Sequence, residues 1–78
     1  MVGVLALQGD FYKHKSILDK LEVESIYVKN FKDLRRTNAL IIPGGESSVL
    51  SMLIDRYSLR DRLIKYSQCF SIFGTCAG

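Results

Sequence analysis

The chain has 78 residues, enough for one small domain, and its composition of 47% hydrophobic and 24% charged residues is typical of a globular protein. Its net charge of +3 is the balance of 11 basic and 8 acidic residues, and because the basic residues are spread along the sequence, no nucleic-acid-binding tract is indicated. No apolar run approaches the roughly 20 residues of a membrane span, and the apolar start lacks the basic region of a signal peptide, so we expect a cytoplasmic protein.

The first half of the chain is predicted to form a strand, a helix and a second strand. Residues 2–7 are almost continuously apolar, which is typical of a strand buried on both faces. Asp10 is placed to cap a helix over residues 11–21. A second strand fits residues 25–28, and we expect residues 30–36 to form a short helical turn or loop. One side of the first helix is predicted to carry Phe11, His14, Ile17, Leu18 and Leu21.

The second half repeats this alternation. A third strand fits residues 39–42, and helices are predicted from residues 47–48 onward and over residues 59–66, before a fourth strand at residues 70–73. The first of these helices is expected to turn inward the apolar residues Val49, Leu50, Leu53, Ile54 and Tyr57. Strands alternating with helices predict an α/β fold with a parallel, doubly wound, flavodoxin-like sheet, here with about four strands and right-handed crossovers.

The two cysteines and the one histidine do not indicate a metal site or a disulfide. Cys69 and Cys76 are not in a C-x-x-C arrangement, and no second cysteine pair exists to complete a zinc site. If they bracket the last strand, they stand about 20 Å apart, too far for a bridge. We expect reduced thiols, and we interpret His14 as a structural residue rather than a catalytic base.

Three loops with unusual sequences follow predicted strands. They are Gln8-Gly9-Asp10, Pro43 to Ser48, and Gly74 to Gly78. In an open parallel sheet, ligands bind beyond the carboxyl ends of the strands, where all three loops would meet. The sequence therefore predicts a functional site at this rim of the sheet.

The last of these loops, Gly74-Thr75-Cys76-Ala77-Gly78, has the pattern of a nucleophile elbow. Glycines flank a sharp turn at the end of a strand, so the cysteine between them projects from its tip. A thiolate there is stabilised by a helix N-terminus or a cationic histidine. Cys76 is the predicted nucleophile, and the alternative is a small buried apolar residue, a common role of free cysteine.

The middle loop, Pro43-Gly44-Gly45-Glu46-Ser47, offers backbone donors. Two glycines after a buried strand let amide groups point at a ligand, as an oxyanion hole requires, and the amide of Ala77 is the second candidate donor. Glu46 and Ser47 could hold the charged ends of an amino-acid substrate. The alternative is a tight turn in which Ser47 caps the next helix.

These segments together resemble the class I glutamine amidotransferases, and within them the glutaminase subunits of pyridoxal 5′-phosphate synthases. The resemblance rests on Gly3 to Gly9, on Pro43 to Ser47 and on Gly74 to Gly78, in order and with matching spacing over all 78 residues. G-x-C-x-G alone marks the broad class, and its combination with the other two segments is more specific. The family usually has threonine where this chain has Ser48, which keeps a hydroxyl.

The resemblance implies that glutamine is hydrolysed to glutamate and ammonia through a thioester on Cys76. It further implies that ammonia passes to a synthase subunit, that docking of this partner orders the oxyanion loop, and that the glutaminase holds no metal or cofactor. The implied oxyanion-binding amides belong to Gly45 and Ala77. The implied glutamine-binding residues are Gly45, Glu46 and Ser47, and Gln8 corresponds to a position near the active site and the partner interface.

The main departure from the family is length. Family members continue for roughly a hundred residues and supply a histidine and a glutamate that complete a catalytic triad, so we expect residues 1–78 to be the N-terminal part of one glutaminase domain. Without that base, we expect no turnover from the 78 residues alone. Another class I amidotransferase, and a non-catalytic α/β module that only binds a partner, remain open alternatives.

Overall fold

The computed structural model describes residues 1–7, 11–44 and 47–74, and of Ser47 it describes only the backbone. Four short strands alternate with helices in this part of the chain. The elements are β1 (Val2–Leu5), α1 (Phe11–Lys20), β2 (Ser25–Val28), α2 (Phe31–Leu34), β3 (Ala39–Ile42), α3 (Ser47–Arg56), α4 (Arg60–Cys69) and β4 (Ser71–Gly74).

The four strands form one parallel sheet in the order β2-β1-β3-β4. Val4 of β1 is aligned with Ile41 of β3, and Ile42 of β3 with Gly74 of β4. The chain therefore leaves β1 in one direction to form β2 and returns past it to form β3. The predicted α/β fold with a parallel sheet is confirmed, and its topological switch point lies between β1 and β3.

Helices cover both faces of the sheet. The main core lies on the face covered by α2, α3 and α4, where alternate strand residues meet the helices. Its buried members are Leu5, Val28, Leu34, Leu40, Leu59, Leu63 and Tyr66. On the other face, Phe11 of α1 packs edge-on against Tyr27 of β2 with 5.4 Å between ring centroids. Because Tyr27 and Val28 are consecutive in a strand, they point to opposite faces, as a doubly wound sheet requires.

Gly3 is fixed by close packing in the middle of β1. A Cβ atom at this position would lie 2.7 Å from Cγ2 of Val28, 2.8 Å from Cγ2 of Thr37 and 3.3 Å from Cδ1 of Leu40. The first two distances are shorter than any stable carbon–carbon contact, which has its optimum at about 3.5–4.0 Å. Only glycine lets these buried neighbours approach β1.

The helix ends follow recognisable local chemistry. Asn30 caps α2 by accepting a hydrogen bond of 2.9 Å from the amide of Asp33, whose carboxylate accepts one of 3.1 Å from the amide of Lys29. Helices α1 and α3 end in Schellman motifs, with Glu22 and Ser58 in the left-handed conformation at φ 58° and 56°. Both positions carry side chains in a conformation that favours glycine.

Several sequence-based expectations need correction. The first strand ends at Leu5 rather than residue 7. Cys69 is the last residue of α4 rather than the start of a strand, since α4 continues to residue 69; its thiol is free and exposed. Tyr57 is 53% exposed because it lies beyond the end of α3.

Helix α1 also buries less than its pattern predicts. Phe11, His14 and Leu18 are half-buried, whereas Ile17 is 56% and Leu21 67% exposed. Leu21 follows the last residue of α1, so it has left the helical face. Within the ranges given above, no helix is both long and apolar enough to cross a membrane.

Candidate active site

The carboxyl ends of β1, β3 and β4 form one continuous rim. The strand order makes β3 the direct neighbour of both β1 and β4, and adjacent strands lie about 4.8 Å apart. The β1 exit is held by a hydrogen bond of 2.9 Å from the amide of Ala6 to the carbonyl oxygen of Val28. The strands that lead toward the three segments singled out in the sequence therefore end side by side, within about 10 Å of one another.

The exit of β3 is buried and packed against the core. Pro43 follows the strand directly and is fully buried, and its ring removes the amide that would continue the sheet ladder. Leu7 at the end of β1 and Ile42 at the end of β3 both pack against the main core. Apolar contacts with the main core thus anchor the backbone that leads into the diglycine loop.

Helix α3 begins at the same rim. Only residues 45 and 46 separate Gly44 from Ser47, the first residue of α3. The helix runs for ten residues to Arg56, and its first turn holds no acidic side chain. The positive end of its dipole therefore lies at the rim, and no carboxylate within that first turn offsets it, which favours negative charge in a bound ligand.

The predicted reacting groups themselves fall outside the described residues. This applies to the nucleophile Cys76, to the oxyanion donors Gly45 and Ala77, to Glu46 and Gln8, and to the capping residue Asp10. Ser47 is described only as the first residue of α3, and His14 lies half-buried on α1. The structure brings together the roots of the three loops, and the roles of these residues stay predictions.

Gly74 is the one described glycine of the elbow. A Cβ atom built there meets no atom within 4 Å among the described residues. In this part of the structure, crowding therefore does not explain the glycine at the end of β4. Its position opposite Ile42 places the start of the elbow level with the end of β3.

The shifted pKa values within the described residues belong to structural contacts away from the rim. Arg60 at the start of α4 hydrogen-bonds both carboxylate oxygens of Asp55 and also donates to Oγ of Ser51 at 2.6 Å. The hydrogen bond from Arg60 lowers the pKa of Asp55. No motif or spacing in the sequence indicated this link between α3 and α4.

A second polar contact missed by sequence reasoning lies inside the core. Oγ1 of Thr37 donates to the carbonyl oxygen of Leu34 at 2.9 Å and lies 2.9 Å from the hydroxyl of Tyr66. Since Thr37 has one hydroxyl hydrogen, Tyr66 is the donor in the second bond. Burial raises the pKa of Tyr66. In the described segments, no group of three or more histidine, cysteine or acidic residues could hold a metal ion.

Comparison with known protein families matches residues 4–78 to the SNO glutamine amidotransferase family. A solved structure described as a glutamine amidotransferase superimposes with a TM-score of 0.90 at 44% identity, over 99% of this chain and 42% of that one.

Among curated relatives, the pyridoxal 5′-phosphate synthase subunit PdxT of Pseudothermotoga lettingae is 53% identical over 78 residues. The protein of the same name from Thermus thermophilus is 45% identical over 80 residues. The alignments cover 99% and 100% of this chain but 40% and 42% of those relatives, so the chain spans about two fifths of their length.

Proposed function

Because this chain belongs to the SNO glutamine amidotransferase family, we propose that it carries the nucleophile and the oxyanion-binding part of a glutaminase site. The observation that supports this most directly is the adjacency of the carboxyl ends of β1, β3 and β4, from which the three family segments extend. In this proposal, residues 1–78 are the N-terminal part of a single glutaminase domain.

The proposed reaction begins at the sulfur of Cys76. The thiolate attacks the side-chain amide carbon of glutamine, and the carbonyl electron pair moves to oxygen to give a tetrahedral intermediate. When this intermediate collapses, the carbon–nitrogen bond breaks and the nitrogen takes up a proton. Ammonia is released, and the glutamyl group remains bound to Cys76 as a thioester. Water then attacks the thioester, which releases glutamate and restores the thiol.

The negative oxygen of the intermediate is stabilised by backbone donors. We assign this role to the amides of Gly45 and Ala77, with support from the N-terminal end of α3 two residues after Gly45. In a serine protease, loss of one oxyanion-hole donor costs a factor of about 10²–10³ in turnover. Gly45, Glu46 and Ser47 are the proposed glutamine-binding residues, and Gln8 the proposed support at the partner interface.

The relatives suggest where the ammonia goes. The named relatives are subunits of a pyridoxal 5′-phosphate synthase, so we propose that the partner is the synthase subunit, in the cytoplasm, and that the product serves vitamin B6 synthesis. This favours that pathway over other class I amidotransferases. The base that accepts the thiol proton is not assigned to His14, and we expect no turnover from the 78 residues alone.

A chimera tests this assignment. Residues 1–78 of this chain replace the aligned part of the Pseudothermotoga lettingae relative, and glutamate release is measured with the synthase subunit of that organism present. We expect glutaminase activity that Cys76→Ala abolishes. The matched control is Cys69→Ala, which removes the exposed thiol at the end of α4 and should leave turnover unchanged.

Covalent labelling gives a second measurement on the same chimera. A glutamine-like diazoketone should modify Cys76 and spare Cys69, as read by mass spectrometry of the two peptides. Equal labelling of both cysteines, or turnover that survives Cys76→Ala, would contradict the proposed nucleophile.

A further inference from the structure

A cavity of about 700 Å³ lies between α2 and α4. Thr37, just before β3, and Phe70, just before β4, contribute to its wall, so it lies near the amino-terminal ends of these strands. The candidate active site is at the carboxyl ends. The volume is within the range of about 300–1,000 Å³ that small-molecule sites occupy.

The mouth of the cavity is cationic. Arg35 of the α2 end and Arg62 and Lys65 of α4 line it, against the single carboxylate of Asp61. Among the described residues, none of these three cations forms a salt bridge. Arg62 and Lys65 are three residues apart on a helix, so they project from the same side. Three cations near one carboxylate favour a dianionic ligand.

Phe31 holds the guanidinium groups in place. The guanidinium carbon of Arg62 lies 3.6 Å from the centroid of the Phe31 ring, and that of Arg35 lies 5.8 Å from it. Stacking on a ring occupies one face of a guanidinium and leaves the N–H groups at its edge available for a planar or tetrahedral anion. Arg62 is thus pre-oriented before any ligand arrives.

The aromatic part of the cavity lining consists of the buried Tyr66 and the 45% exposed Phe70, and beside them the hydroxyls of Thr37 and Tyr66 offer no donor to a ligand. Thr37 donates to Leu34 and Tyr66 donates to Thr37, so both hydroxyl hydrogens are already used. The rings of Tyr66 and Phe70 pack against each other at 5.0 Å between centroids. The cations therefore suit an anionic group, and the rings of Tyr66 and Phe70 suit an apolar planar group.

We propose that this cavity binds a small aromatic phosphate ester, with the phosphate on Arg35, Arg62 and Lys65 and the ring against Tyr66 and Phe70. The site is independent of the proposed glutaminase chemistry, because it involves none of the residues assigned to that reaction. Its affinity falls as salt concentration rises, since the contacts at the mouth are exposed ionic ones.

The test is a titration of the isotope-labelled chimera described above with phenyl phosphate, followed by amide chemical shifts. We expect saturable shifts at Arg62, Lys65 and Cys69, weaker binding of inorganic phosphate, and none of phenol. Arg62→Gln should weaken the affinity about tenfold or more, because it removes a charged hydrogen-bond donor. The matched control is Lys20→Gln on α1, which changes the net charge equally and should leave the affinity unchanged.

Each other outcome overturns the proposal. The proposed site recognises both the ring and the charge of its ligand. It would be excluded by shifts that do not saturate, by an affinity for inorganic phosphate or phenol equal to that for phenyl phosphate, or by an equal effect of Lys20→Gln. Phe31→Leu keeps an apolar side chain but removes the stacking face, so unchanged affinity in this variant would refute the role of the ring. Tighter binding of a glutamate-rich peptide than of phenyl phosphate would assign the surface to a protein partner instead.

Discussion

Gly3→Ala probes the closest packing in the sheet. The added methyl group would lie 2.7 Å from Cγ2 of Val28 and 2.8 Å from Cγ2 of Thr37, and both neighbours are β-branched and buried. Their χ1 angles are stiff, so the strain is relieved only by moving backbone or leaving favoured rotamers. Overpacking of this kind costs about 1–3 kcal/mol, and the lower chain entropy of alanine in the unfolded state offsets about 0.4–1 kcal/mol of it.

We therefore expect Gly3→Ala to lower the free energy of unfolding by about 1–2 kcal/mol. A folded unit of 78 residues has a free energy of unfolding of about 4–12 kcal/mol, and each kcal/mol shifts its melting temperature by about 4–8 °C. Urea unfolding followed by circular dichroism measures the change. The urea concentration at the midpoint of unfolding should fall, while the slope of the free energy of unfolding against urea concentration stays the same.

Gly74→Ala is the matched control, because a methyl group there meets no described atom within 4 Å. Thr37→Ser removes one of the two clashing methyl groups and keeps the hydroxyl, so the double variant should recover part of the stability lost in Gly3→Ala. If Gly3→Ala and Gly74→Ala unfolded at the same urea concentration, the steric account of β1 would be refuted.

Two further predictions concern stability. The pKa of Tyr66 is raised above its ordinary value of 10.0 by burial, so above about pH 10 the unfolded state loses the phenolic proton first and the stability of the fold decreases. In urea unfolding, Tyr66→Phe should remove that part of the pH dependence. At neutral pH it should lower the free energy of unfolding by about 0.5–1.5 kcal/mol, because the hydrogen bond to Thr37 is lost. If stability still decreased above about pH 10 as in the parent chain, this account of Tyr66 would be contradicted. Glu22→Gly should raise the melting temperature by relieving up to about 1 kcal/mol of left-handed strain, with Glu24→Gly as the control that should not stabilise.

The sequence predicts strands more reliably than surfaces in this chain. Residues 25–28 and 39–42 are found as predicted, because each is a short apolar run bounded by polar or turn-forming residues. The exposure of Ile17 was not predictable from helical spacing, since that spacing does not show how much of a helix the sheet covers. The link between Thr37 and Tyr66 joins residues 29 apart in sequence, and no local pattern encodes such a pair.

For the candidate site, the sequence predicts the placement of the loops but not the geometry within them. Alternation of strands and helices was enough to predict that the three segments share one rim, because parallel strands all end on the same side. The reach of a thiol or the direction of an amide depends on backbone angles in residues 45, 46 and 75–78. Glycine-rich segments leave these angles open, since glycine populates both halves of the φ range.

Among the described strands, β4 has a hydrogen-bonding partner on one side only, because β3 is its single neighbour. Four aligned residue pairs thus fix the position of the strand that leads into the predicted elbow. Amide groups on the open flank of β4 should exchange with deuterium sooner than those facing β3. Their exchange rates would measure the local stability of the strand that carries the predicted nucleophile segment, without any substrate being present.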